Sequence, residues 1–409
     1  MKNLLICVVA GIFAVLCLAA FRPAPPWGFF AHKRINRLAV LTLPPEMMTF
    51  FKPNIDWISD HAVDPDMRRY ATKNEAPRHY IDLDQYGSQP FDNLPRLWLD
   101  AQIKYSEIFG ITENGDTIGF FGPGHQYDES PAGDSARLAY RRFFMKEILP
   151  LYRNNDAELN VDSLLAFFRA NDDIHGGKRT FTSGFYRDHL SEHGIVPWHL
   201  QKMQRDLTEA FRRRDSGRIL RLCADIGHYI GDAHVPLHTT SNYNGQKTGQ
   251  HGIHGFWESR IPELFADERY DFFVGKPEYI ANTTDFFWQA VFDSHSMVDS
   301  VLTIERDLHL SFPSDRQMCP DVRNGAAVLA PCPDYSEAYQ EALQNMIERR
   351  MRAAIHAVSS AWYTAWVDAG QPDMSKMDVQ TVSEEELKEE AAWRKSYQQG
   401  KILGRPEDH

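Results

Sequence analysis

The chain has 409 residues, a formal net charge of -12 with histidines neutral, and 43% hydrophobic residues. That length supports a sizeable core in one large or two ordinary domains. The acidity argues against a protein that depends on a long track of phosphate contacts, but it leaves room for a small anion site whose positive charge comes from bound metal.

In chain order, residues 1–20, "MKNLLICVVAGIFAVLCLAA", run from a lysine through an apolar stretch to small residues. This is the layout of a secretory signal peptide. The run is short for a membrane span, and no later segment is apolar for long enough to cross a bilayer. The expected mature chain is therefore periplasmic or extracellular, without an integral span. Cys17 follows Leu16, a poor fit to a lipoprotein cleavage site. The next stretch, "APPWGFFAHKRIN", sets His32 five residues after Trp27. Taken alone, Trp27, Phe29 and Phe30 begin a core helix and His32 is incidental. "VDPDMRRYATKNEAPRHYIDLD" carries Asp64, Asp66, His79, Asp82 and Asp84, which alone read as surface turn residues.

Residues from about 110 to 185 read as an insertion or subdomain. "TENGDTIGFFGPGHQYDESPAGDS" is loop-like in its Gly, Pro and Asp content, and helical patches follow at "ARLAYRRFFMKEIL" and "VDSLLAFFRA". Helical periodicity then dominates. "HLQKMQRDLTEAFRRR" puts Leu200, Met203, Leu207 and Phe211 on one face, and "GRILRLCADIGHYIGDAH" continues with Ile219, Leu220, Cys223 and Ile226. Cys319 and Cys332 flank a loop containing Pro and Gly, and can pair in an oxidising compartment. Cys223 is expected to be a buried, inert thiol. Residues 336–370 read as one long helix with Leu343, Ile347, Met351, Ala354, Val358, Ala361 and Ala365 near one stripe. It stops at Gly370, with Pro372 beyond. The polar tail, 371–409, has Ser383 three before Glu386, a capping box opening a solvated helix. Strand-like alternation is sparse, so the expected class is all-α.

The residues able to do chemistry concentrate in "HYIGDAHVPLH", 228–238. His228 and Asp232 are four apart and share a helix face, as two ligands of one metal must. Pro236 disfavours helix at the residue before it, so the chain turns and His238 can return to the same site. Gly231 removes bulk beside Asp232. In "HGIHGFWESR", His254 and Glu258 repeat the four-residue spacing, whereas His251 is out of register and reads as a loop residue or a support for the ligands.

Together these residues resemble the superfamily that unites secreted single-strand-specific zinc nucleases with bacterial zinc-dependent phospholipases C. Its ordered pattern is a Trp and a nearby His, an Asp and a His, H-x3-D-x5-H, then H-x3-(D/E). Trp27, His32, Asp64, His79, His228, Asp232, His238, His254 and Glu258 match it in order. The match covers roughly 27–84 and 195–370. The resemblance implies a multi-helix domain over 21–370 with a trinuclear zinc cleft. One zinc would take Asp64, His79, His228 and Asp232, and a second His238, His254 and Glu258. A third would take His32, Asp232 as a bridge, and the amino and carbonyl groups of Trp27. Imidazoles and carboxylates without thiolates suit zinc. Asp66 is the rival to Asp64, which is preferred because its spacing to His79 agrees with the nuclease branch.

The implied activity is phosphodiester hydrolysis by a zinc-activated water. Asp64 would orient or deprotonate that water, and Arg68 or Arg69 would add positive charge to the transition state. In the nuclease branch the aromatic after the His, here Tyr80, stacks on a base of a single strand, and Asp82 hydrogen-bonds its edge. A core ring and a turn cap are the alternative reading of this pair. Phospholipase C is favoured instead by Glu258, where nucleases have Asp, and by the short link from His238 to His254. Tyr243, Phe256 and Trp257 would then line a headgroup pocket, or simply be core. The nuclease is the preferred reading. A non-catalytic zinc-stabilised binding module is disfavoured, because structural zinc sites are usually closed. Ordinary signal cleavage near Ala20 leaves "FRPAPP" before Trp27, whose nitrogen is then an amide and a poor zinc ligand.

Overall fold

The computed structural model describes residues 29–120, 131–152, 159–171, 179–323, 326–377, 384–400, 402–403 and 405. The leader, Trp27 and Ser383 lie outside them. The chain opens with α1 (Phe29–Thr42), α2 (Pro45–Phe51), α3 (Ile55–Asp60) and the short α4 (Asp64–Arg68). Residues Gln89–His193 then form one compact unit, and Met1–Ser88 with Gly194–His409 form the other.

The Gln89–His193 unit has its own core. It contains α5 (Trp98–Tyr105), β1 (Ser106–Thr112), β2 (Thr117–Phe120), α6 (Pro131–Phe143), α7 (Val161–Ala170) and β3 (Phe181–Asp188). The strands form an antiparallel sheet in the order β2-β1-β3, with Ile108 opposite both Phe120 and Tyr186. Ile108, Phe120, Tyr140, Phe144, Leu164 and Phe168 are buried together. The loop expected from residue 112 is therefore in part a β-hairpin. Its Gly and Asp content marks the turn, where Gly115 has φ +85° and the Thr112 amide donates to the Asp116 carbonyl at 2.9 Å. The strand beyond, Thr117–Phe120, is too short to show alternation. The unit is also larger than the 110–185 segment that composition suggests.

The other unit continues with α8 (Val196–Arg213), α9 (Ser216–Ala233), α10 (Ile261–Arg269), α11 (Thr283–His295) and α12 (Val298–Ser311). A hairpin of β4 (Met318–Arg323) and β5 (Ala326–Pro331) follows, then α13 (Pro333–Ala342), α14 (Met346–Asp368) and α15 (Glu384–Gln398). The protein is thus mainly helical with small sheets rather than all-α. No helix among the described residues is long and apolar enough to cross a membrane. Cys319 and Cys332 form a disulfide across the hairpin, and Cys223 is a buried free thiol that burial keeps protonated.

Helices α1, α8, α9 and α14 pack together through the faces that periodicity marks. Leu207, Phe211, Ile219, Ile226, Val358 and Ala361 are buried. Polar ties cross the same interfaces: Gln204 Nε2 donates to the Ala361 carbonyl at 2.9 Å, and Asn36 Nδ2 to the Ala224 carbonyl at 3.0 Å. The expected 336–370 helix is two helices, because Gln344 and Asn345 take φ of 51° and 60°. Asn adopts this left-handed geometry readily. Leu343 and Ile347 are buried on either side of the break, so the apolar spacing runs through it unchanged.

Glycine sets the approach of α9 to α1. A Cβ on Gly227 of α9 would lie 1.9 Å from Asn36 Oδ1 of α1. Ala in place of Gly gains about 0.8–1 kcal/mol of helix propensity. Overpacking at this contact costs about 1–3 kcal/mol. Gly227→Ala is therefore expected to lower stability on balance, read as a reduced denaturation midpoint with an unchanged m-value. A raised midpoint would refute the close packing.

Candidate metal centre

Helix α9 supplies the middle of the site. His228 and Asp232 stack one turn apart, and both are buried. The helix ends at Ala233, and a short helical turn at Pro236–Thr239 brings His238 back. The segment after His79 is tied to it: the Ile81 amide donates to the His238 carbonyl at 2.9 Å, which sets His79 beside the α9 ligands. From α1 comes His32, whose ring stacks on His228 at 3.9 Å between centroids. Gly231 gives this ring its space, since a Cβ there would lie 2.9 Å from His32 Nδ1. His254 lies in a short helical turn, Ile253–Gly255, and Glu258 in the π-helical turn that follows, Phe256–Arg260, of the kind that often marks a functional position.

These side chains converge. His228 Nε2 is 3.0 Å from His79 Nδ1 and 3.2 Å from Asp232 Oδ2. Asp232 Oδ1 lies 3.3 Å from His32 Nε2 and 3.7 Å from His238 Nε2. Glu258 Oε1 is 3.2 Å from His32 Nε2, while its Oε2 is 2.7 Å from His254 Nε2 and 3.2 Å from His238 Nε2. Four overlapping ligand groups result, His32–Asp66–His228, His79–His228–Asp232, His238–His254–Glu258 and His32–Asp232–Glu258, each with donor atoms within 4.8 Å of one another.

The donor chemistry fits metal ions. A carbonyl can only accept, so His228 Nδ1–H donates to the Ala62 carbonyl at 2.8 Å and His238 Nδ1–H to the His79 carbonyl at 2.9 Å. Each bond fixes the tautomer and turns the Nε2 lone pair toward the carboxylates, the usual support for a metal-binding histidine. Burial pushes the Asp232 carboxyl up, but His228 and His238 outweigh it and hold the group well below the ordinary carboxylate range. Burial is likewise outweighed at Glu258 by His238, His254 and His32. His32 is depressed by burial but raised overall by Asp232 and Glu258, whereas burial keeps His79 low. Two carboxylates inside a ring of imidazoles make a donor set that could hold metal ions.

Asp66, not Asp64, is the acidic residue of α4 that joins the cluster. Asp66 Oδ1 is 3.6 Å from His228 Nε2 and 3.7 Å from His79 Nδ1. Asp64 turns away, with Oδ2 on His61 Nδ1 at 2.6 Å and Oδ1 3.7 Å from Arg394 of α15. Arg68 is not aimed at the centre either. It forms a two-point bridge to Asp225, at 3.2 and 2.9 Å, and lies 3.5 Å from Glu75. Arg69 is buried 3.9 Å from Asp66 Oδ1, and its Nη2 donates to the Arg405 carbonyl at 3.0 Å. His251 is an exposed loop residue, and Phe256 is a core ring stacked on Tyr335 and Tyr339. Asp84 is a turn residue that accepts from the Ser241 amide at 2.8 Å.

Glu75 is the site residue that sequence reading missed. It lies behind His79, with Oε1 3.8 Å from His79 Nε2 and Oε2 2.7 Å from Arg78, and it accepts from the Tyr229 hydroxyl. Burial opposes its ionisation, but Arg68 and Arg78 hold its carboxyl well below the ordinary range. Its signal was its spacing, four residues before His79, the same as His254 to Glu258.

Tyr80 and Asp82 line a narrow slot that already has an occupant. The Arg405 guanidinium lies 4.0 Å from the Tyr80 ring centre and donates to Asp82 Oδ1 at 2.7 Å. The tail is thus not simply a solvated helix: Tyr397 of α15 meets Tyr70 edge-on at 5.0 Å.

No family model, no curated protein and no solved structure matches this chain.

Proposed function

We propose that the chain is an exported zinc-dependent phosphodiester hydrolase with a preference for single-stranded nucleic acid. The carrying observation is the sharing of ligands: Asp232 and Glu258 each belong to two of the four overlapping groups. Such sharing suits closely spaced ions better than separate structural sites, which are usually closed around one ion each. Zinc would be held by His79, His228, Asp232 and Asp66, by His238, His254 and Glu258, and by His32 between Asp232 and Glu258. Bound there, zinc lowers the pKa of water toward neutrality and neutralises phosphate charge. The chain's own residues fix the geometry. The Ala62 and His79 carbonyls lock His228 and His238, and Glu75 stands behind His79. Tyr80 and Asp82 give the nuclease reading its support, as an aromatic face and an edge acceptor.

Phospholipase C is the second reading. It is favoured by a cavity of about 520 Å³ at the turn that carries His254, where Ile253, Phe256 and Leu329 line an apolar part and Glu305, Arg306 and His309 a polar one. One panel tests both. Metal content is measured, then hydrolysis of single-stranded DNA, RNA and phosphatidylcholine with and without chelator. The expected result is zinc in the purified protein, cleavage of single strands, and loss of cleavage with chelator. Zinc-replete protein inactive on every phosphodiester would overturn the hydrolase reading, and cleavage of phosphatidylcholine alone would select the second.

A further inference from the structure

The slot beside the metal centre is built from the same two segments as the metal ligands. Asp82 follows His79 by three residues, and Thr240 follows His238 by two. Tyr80 and Tyr243 form its walls, and the Tyr243 ring lies 6.3 Å from that of His254. The guanidinium carbon of Arg405 sits between those walls, 4.0 Å from the Tyr80 centroid and 3.6 Å from that of Tyr243. Its Nη1 donates to Asp82 Oδ1 at 2.7 Å and its Nη2 to the Thr240 carbonyl at 3.1 Å. The segment is pinned as it arrives: the Leu403 amide donates to the Arg69 carbonyl at 3.0 Å, and Arg69 Nη2 returns a bond to the Arg405 carbonyl at 3.0 Å. The Arg405 and Asp82 side chains are only 11% and 7% exposed, so both charges have given up most of their water to each other.

The shape of the occupant defines what else fits. Two aromatic faces accept a planar group, and two acceptors select an edge that presents two neighbouring N–H donors. Guanine has that edge in N1–H and the N2 amino group. Adenine and cytosine offer one amino group beside an acceptor, and uracil and thymine offer one N–H between two acceptors. We propose that Tyr80, Tyr243, Asp82 and the Thr240 carbonyl form a guanine-selective slot, and that Arg405 is its internal competitor. This rests on the nucleic-acid reading of the site. Guanine-bearing substrate must displace Arg405, and apparent affinity falls by the fraction of time the slot is filled.

The test titrates GMP, AMP, CMP and UMP into zinc-loaded full-length protein by calorimetry, for the wild type, Arg405→Ala, Arg405→Lys and Asp82→Asn. Removing a cation should weaken the binding of an anion, so tighter binding would report an emptied slot. Arg405→Ala is expected to bind GMP about tenfold more tightly than the wild type, as for a slot filled about nine-tenths of the time. It is also expected to prefer GMP over AMP by about tenfold or more, the scale of one good two-point edge contact. Arg405→Lys should fall between the wild type and Arg405→Ala, and Asp82→Asn should lose the preference. Unchanged or weaker GMP binding by Arg405→Ala overturns the proposal, as does equal tightening for all four nucleotides. Hydrolysis of bis(4-nitrophenyl) phosphate is read separately. The guanine effect without hydrolysis sinks the hydrolase and leaves the slot, whereas hydrolysis without the guanine effect sinks the slot and leaves the hydrolase.

Discussion

Asp232→Asn is expected to cost the protein both activity and bound metal. The carboxylate faces His228, His79, His32 and His238 across 3.0–3.7 Å, and it belongs to two of the four ligand groups. Asn keeps the shape but removes the negative charge and one ligating oxygen, and its amide nitrogen cannot bind a cation. His238 and His254 would keep Glu258, so the His238–His254–Glu258 group should survive. Metal content by mass spectrometry is therefore expected to fall by about two ions of three, and phosphodiester hydrolysis by about 10²–10³-fold or more. His254→Ala gives the complementary result, losing the ion that Asp232→Asn keeps. Full activity with undiminished metal in Asp232→Asn would remove the shared-ligand account.

The sequence made much of this centre readable because regular geometry converts spacing into direction. His228 and Asp232 lie on a long helix, where four residues apart means one face, and Pro236 announces the turn that returns His238. The choice between Asp64 and Asp66 is of another kind. On a helix two positions apart point about 200° apart, so only one of the pair can face His79, and family spacing favoured the wrong side of α4. The fate of Arg68 was hidden for a different reason. Its positive charge was visible, but its partner Asp225 lies 157 residues away, and only the fold brings the two together. Tyr243 and Arg405 share that invisibility, since they reach Tyr80 from distant parts of the chain. One missed strand had a local cause, because β2 spans only Thr117–Phe120 and completes no alternating pattern.

Glu75→Ala should produce the largest loss of stability. Glu75 is 1% exposed and is shared by Arg68 at 3.5 Å, Arg78 at 2.7 Å and the Tyr229 hydroxyl. Two guanidiniums here are balanced by two carboxylates, Glu75 and Asp225. Removing Glu75 leaves Arg68 and Arg78 facing one another's charge with Asp225 alone to offset them. The Arg68 and Arg78 side chains are 24% and 35% exposed and Arg68 keeps Asp225, so water offsets part of the loss and the cost is about 1–3 kcal/mol, still above what an exposed ion pair contributes. The damage should reach the metal centre, because Glu75 also stands 3.8 Å behind His79 Nε2. Loss of such a support weakens metal affinity by about 10–100-fold. Glu75→Gln separates the two effects. It keeps the volume and a carbonyl oxygen for Tyr229 while losing the charge, so it should recover packing without recovering the arginine balance. Chemical denaturation of the zinc-free forms isolates the structural part, and zinc titration of the folded protein isolates the support of His79. A Glu75→Ala variant as stable as the wild type, with unaltered zinc affinity, would show that this carboxylate is neither the counterion of the arginines nor the support of the histidine.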